Sequence, residues 1–106
     1  MQRVCFVLHV KKDRIAEYKE RHRNLWPEMR EALQRTGWHN YSLFLREDGT
    51  LIGYVETPDF QKALDGMAVL DVNTRWQNEM REFFEDPEGR APDRQMEPIE
   101  QVLYIE

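Results

Sequence analysis

The sequence predicts a single α+β domain of the ferredoxin-like, split βαβ type. Two observations carry that class. Apolar and turn-forming residues follow the order strand, helix, strand, strand, helix, strand. Three of the four strand segments are also apolar on both faces. A sheet of that kind must be covered on both sides. In this topology the helices cover one face of the antiparallel sheet, so the other is expected to pack on a second copy, as aligned sheets do. The expected assembly is a homodimer, a dimeric α/β barrel. At 106 residues the chain is one domain, residues 1–106.

Arg3 to Val10 forms the first strand, with Val4, Phe6, Leu8 and Val10 on one face and Cys5 and Val7 on the other. Lys11-Lys12-Asp13 ends it, and Asp13 is placed to cap the next helix, with Ala16 and Glu17 in its first turn. That helix runs to about Asn24. Pro27 lacks an N–H and disfavours helix at Trp26, so the helix breaks and restarts with Pro27 at an early, tolerated position. Met29, Ala32 and Leu33 form its apolar stripe, and Gly37 stops it. His39 to Leu45 is the second strand. Glu47-Asp48-Gly49 is a hairpin turn into the third, Leu51 to Glu56.

Pro58-Asp59 opens a helix through about Met67. Another, from about Asp71 to Phe84, carries the stripe Val72, Trp76, Met80 and Phe83. Residues 85–98, with Pro87, Gly89, Pro92, Pro98 and many charges, read as a long surface loop or arm. Gln101 to Ile105 is the expected fourth strand.

Charge excludes some classes. Fifteen basic against 20 acidic residues give a net charge of -5, which argues against nucleic acid, whose binding rests on phosphate neutralisation. No basic run exceeds Lys11-Lys12, and no window reaches transmembrane length, so no membrane partner is expected. The one cysteine, Cys5, forms no intrachain disulfide and reads as a small buried hydrophobe. No metal-ligand spacing, secretory leader, phosphate loop or serine-nucleophile elbow is visible. A cytoplasmic protein is expected.

The chemistry concentrates between Glu17 and Tyr41. Tyr18 and His22, four apart, share one helix face, and Tyr41 follows on the next strand. The imidazole titrates near neutrality, which makes it a proton-transfer candidate. Its ordinary reading is a solvated helix histidine. Tyr18, Tyr41 and Trp76 each have a packing explanation, and His39 reads as a surface residue at a strand edge. Trp26 and Trp38 are placed to close the end of the core, yet aromatic faces also bind the C–H face of a sugar.

The chain resembles the L-rhamnose mutarotases over nearly its whole length. The resemblance is carried by Arg3-Val4-Cys5-Phe6-Val7-Leu8, the block Glu17-Tyr18 through His22, and Trp26-Pro27-Glu28. It continues through His39-Asn40-Tyr41, Asp71-Val72-Asn73-Thr74-Arg75-Trp76-Gln77 and Gln101-Val102-Leu103-Tyr104. It implies a homodimeric ferredoxin-like enzyme that interconverts the α and β anomers of L-rhamnose without a cofactor. It implies His22 as the acid–base group, with Tyr18, Tyr41 and Trp76 contacting the sugar. Gln77 stands where the family has a second tryptophan, so a hydrogen-bonding group replaces an aromatic face. Two other readings of the same residues stay open here: a dimeric monooxygenase for a small aromatic substrate, and a non-catalytic ligand-binding dimer.

Overall fold

The computed structural model describes residues 1–106. Its elements are β1 (Gln2–His9), α1 (Ile15–Arg23), α2 (Pro27–Arg35), β2 (His39–Leu45), β3 (Thr50–Thr57), α3 (Phe60–Ala68) and α4 (Asp71–Met80). Short 3-10 turns sit at Lys12–Arg14, Arg81–Phe83 and Pro92–Arg94. The sheet is antiparallel, in the order β1-β3-β2. Alternation along the strands sends Val4, Phe6, Leu8, Leu51 and Val55 inward, where they form one core with Met29, Phe60, Met67 and Phe83 from the helical side.

Several local features explain these elements. Trp26, with ψ 132°, is extended, and Pro27 takes the first turn of α2, where its missing N–H costs nothing. The end of α2 is a Schellman motif: Trp38 N–H donates to Leu33 O at 3.0 Å, Gly37 N–H donates to Gln34 O at 3.4 Å, and Gly37 has φ +94°. Asp59 caps α3 by accepting the Lys62 N–H at 3.0 Å. At the hairpin, Gly49 has φ +95°, and a Cβ there would lie 2.2 Å from Val10 O.

Asn40, with φ 48°, marks a β-bulge. His39 pairs with Glu56, but Ser42 pairs with Tyr54, so β2 holds one residue more than its partner over this stretch.

Three expectations need correction. Asp13 does not cap α1. The chain makes a 3-10 turn at Lys12–Arg14, and Arg14 occupies the cap position with no side-chain bond. Residues 85–98 are not simply a surface arm: Ala91 and Pro92 are buried. The fourth strand is absent from the sheet. Ile99 donates its N–H to Cys5 O at 2.8 Å at the outer edge of β1, and the ladder stops there. Residues 100–106 are exposed, with Tyr104 3.7 Å from the Arg3 guanidinium on the outer sheet face. The segment has strand-forming residues, but β-propensity expresses itself only against a neighbouring strand and a face to pack on.

Candidate functional site

The inner sheet face, α1, α2, α4 and the chain after α4 surround a cavity of about 680 Å³, counting the space at its mouth. Of its 21 lining residues 16 are hydrophobic. Orientation of a polar ligand therefore falls to His22, Asn73, Gln77, Asp93 and the phenols of Tyr18 and Tyr41.

Tyr18 and His22 stand one turn apart on α1, with ring centroids 4.1 Å apart. His22 Nδ1 lies 3.0 Å from the Tyr18 carbonyl oxygen. A carbonyl only accepts, so Nδ1 carries the proton, and Nε2 of the neutral ring keeps its lone pair. Burial holds the His22 pKa below its ordinary value, against the smaller upward effect of that hydrogen bond. The ring is thus neutral at pH 7.

Trp76 on α4 meets His22 edge-on at 5.4 Å and is 6% exposed. Trp26 in turn meets Trp76 edge-on at 5.0 Å. Tyr41 reaches the cavity from β2, on the inward side with Leu43 and Leu45, and its ring sits 5.0 Å from that of Trp38.

Neither the Tyr18 nor the Tyr41 hydroxyl has a hydrogen-bond partner in the chain, and no buried side-chain nitrogen or oxygen is left unpaired. Both hydroxyls are therefore accessible, and both residues line the cavity. Burial pushes both phenols well above the ordinary tyrosine range. The Asp93 carboxylate adds to this at Tyr41, and Tyr41 adds to it at Tyr18. Both are protonated donors at neutral pH.

Gln77 also lines the cavity, with both ends of its amide engaged. Its Nε2 donates to Asn73 Oδ1 at 3.1 Å, and its Oε1 accepts the Asp93 N–H at 3.1 Å. Asn73 Nδ2 donates to Asp93 Oδ2 at 3.1 Å.

The structure thus brings all five sequence-derived candidates, Tyr18, His22, Tyr41, Trp76 and Gln77, to one cavity. His39 stays outside, exposed and paired with Glu56. Sequence reasoning missed Asn73 and Asp93. Asn73 had a signal: with Trp76, Gln77 and Met80 it completes a helical stripe. Asp93 had none, since it sits in an aperiodic, charged loop. No group of three or more His, Cys, Asp or Glu side chains is arranged to hold a metal ion. No helix is long and apolar enough to cross a membrane.

Comparison with known proteins converges on one family. The family model described as L-rhamnose mutarotase matches residues 3–105. An L-rhamnose mutarotase of Bacillus subtilis is 43% identical over 81 residues, covering 76% of this chain and 77% of the relative. One from Pectobacterium atrosepticum is 33% identical over 107 positions, covering 100% of both. The crystal structure of an L-rhamnose mutarotase from Formosa agariphila matches with a TM-score of 0.80 at 27% identity, covering 100% of each chain.

Proposed function

We propose, for a chain that belongs to the L-rhamnose mutarotase family and so interconverts the α and β anomers of L-rhamnose, a mechanism centred on the neutral His22 imidazole. Nε2 takes the proton of the anomeric hydroxyl as the C1–O5 bond breaks. This leaves the open-chain aldehyde, and the same proton passes to O5. Rotation about C1–C2 presents the other carbonyl face. O5 then attacks that face, and the proton returns through Nε2 to the new anomeric oxygen. Atoms and charge balance without a further reagent.

Tyr18 and Tyr41 donate hydrogen bonds to sugar oxygens, where donors aimed at developing charge stabilise a transition state. Trp76 supplies an apolar wall for the C–H face, and Gln77 completes the polar side of the cavity. The observation that carries this reading is a histidine with one nitrogen fixed by the backbone, in a cavity shared with two unpartnered phenols. A positioned acid–base group contributes about 10²–10⁴-fold, enough for a reaction that also runs unaided in water.

The chain is further read as one half of a homodimer. Support comes from the outer sheet face and the tail, where Phe44 is 61% exposed, Val102 87% and Ile105 79%. A single unpaired thiol, Cys5, suits a reducing, cytoplasmic setting.

The test is exchange NMR of the anomeric protons of L-rhamnose and L-fucose, with and without protein. L-Rhamnose should exchange faster with protein present. Exchange at the buffer rate would sink the reading.

A further inference from the structure

Asp93 is the one carboxylate on the cavity wall. It sits in the turn Pro92–Arg94, whose root is anchored by the buried Ala91 and Pro92. Its backbone N–H can only donate, so the bond to Gln77 fixes which end of that amide faces the turn. That in turn orients Asn73, itself 3% exposed, so that its Nδ2 meets Asp93 Oδ2. The ring of three residues is closed, and every donor–acceptor assignment follows from one backbone group.

One atom is left over. Asp93 Oδ1 receives no hydrogen bond from the chain, and no arginine or lysine pairs with the carboxylate. No buried side-chain oxygen of the chain is left unpaired, so this oxygen is accessible and a bound hydroxyl can reach it. Here the free oxygen belongs to a residue held by two others on a rigid helix, in a cavity whose remaining polar groups are phenol donors and one imidazole.

We propose that Asp93 is a substrate-binding residue whose Oδ1 accepts a hydrogen bond from one ring hydroxyl of the sugar, with Gln77 and Asn73 as the positioning residues that hold it. The proposal rests on the sugar-binding reading of the cavity. A carboxylate only accepts, so it selects for a hydroxyl at one position and loses its advantage with an analogue lacking it. Gln77, both ends of its amide engaged, acts on specificity through Asp93.

The experiment measures binding by titration calorimetry, for L-rhamnose and its 2-, 3- and 4-deoxy analogues, with wild type, Asp93→Asn and Gln77→Ala. Asp93→Asn is isosteric, and a thermal melt of each variant confirms folding. Asp93→Asn should weaken L-rhamnose binding by about 10- to 100-fold, the usual range for a hydrogen bond to a charged group. With one deoxy analogue, wild type and Asp93→Asn should bind alike. Gln77→Ala should show the same selective pattern with a smaller loss. A loss uniform across all analogues, or no loss, overturns the proposal. Wild-type protein that binds the sugar but leaves its anomers unexchanged overturns the proposed function and leaves Asp93 to be judged on binding. Wild-type protein that binds no sugar overturns both.

Discussion

On the inner face of the sheet Phe6 and Val55 are 0% exposed, and Leu8 and Leu51 are 2% exposed. On the outer face of the same sheet Val7 is 37% exposed and Phe44 61%. Both faces carry apolar side chains, but the chain covers only the inner one. Helices and the Pro92–Arg94 turn close over it and leave a cavity whose few polar groups are individually placed. The outer face has only the tail, which touches it through Tyr104 on Arg3. The proposed reading places chemistry on one face and assembly on the other, and each assignment can be broken separately.

The largest effect is expected inside. His22→Ala should lower anomer exchange by about 10²–10⁴-fold while molecular mass in solution stays the same. Near wild-type exchange would move the chemistry off the imidazole. The same residue sets a pH dependence. In the proposed mechanism the base is the neutral ring, and its folded pKa lies below the ordinary value. Exchange should therefore hold through neutrality and fall as pH drops through that lowered value. Stability falls in the same direction: the unfolded chain takes up the proton near pH 6.5, whereas the folded chain resists until a lower pH. The raised phenols predict no loss of their donors as pH approaches 10. A pH–rate profile with a midpoint above 6.5 would contradict the buried, neutral histidine.

Trp76→Ala comes next, because Trp76 belongs both to the core and to the cavity wall. Removing a core tryptophan costs about 3–5 kcal/mol, and the side facing the cavity should bring the loss to the lower end. Denaturant titration and sugar binding should both weaken. Unchanged stability with weakened binding would place Trp76 in the site alone.

The smallest intrinsic effect is expected outside. Phe44→Lys alters an exposed side chain, so it should change the stability of a single chain by no more than about 0.5 kcal/mol. By light scattering it should shift the mass from twice 12.9 kDa towards 12.9 kDa. The exchange rate per chain should persist. A wild-type mass of one chain would show that the outer face needs no cover.

Much of this contrast is legible in the sequence, and its gaps have physical causes. Alternation along Val4 to Val10 separates the two faces correctly, because period-two patterning follows from strand geometry alone. Pro27 and Gly37 delimit α2 because each imposes a backbone constraint that neighbours do not override. Tyr18 and His22 meet as helical spacing requires. Residues 101–105 show the limit of such reasoning. Their composition favours a strand, but pairing is a property of the neighbour, which a single sequence does not contain. Asp93 escaped for a related reason: it reaches the cavity through hydrogen bonds from α4, a long-range arrangement that leaves no periodic trace. Gln77 lay off the expected stripe, yet it is held inward by the residues it bonds.

The bulge at Asn40 repairs a phase error. The Schellman end of α2 delivers Trp38 into the core, where its Nε1 donates to Ala63 O at 3.2 Å. The hairpin at Gly49 independently fixes Leu45, Leu43 and Tyr41 as inward. Trp38 and Tyr41 are three apart, so a regular strand would put them on opposite faces. The chain absorbs the mismatch in one left-handed residue, Asn40, whose side chain donates to Glu56 at 3.1 Å. Deleting Asn40 would bring the two aromatics to even spacing and leave each remaining side chain on the face it now occupies. Replacing it with valine would keep the odd count and remove the residue able to absorb it, because β-branched side chains resist positive φ. At this position a change of length should be milder than a change of identity, which thermal melts of the two variants would check.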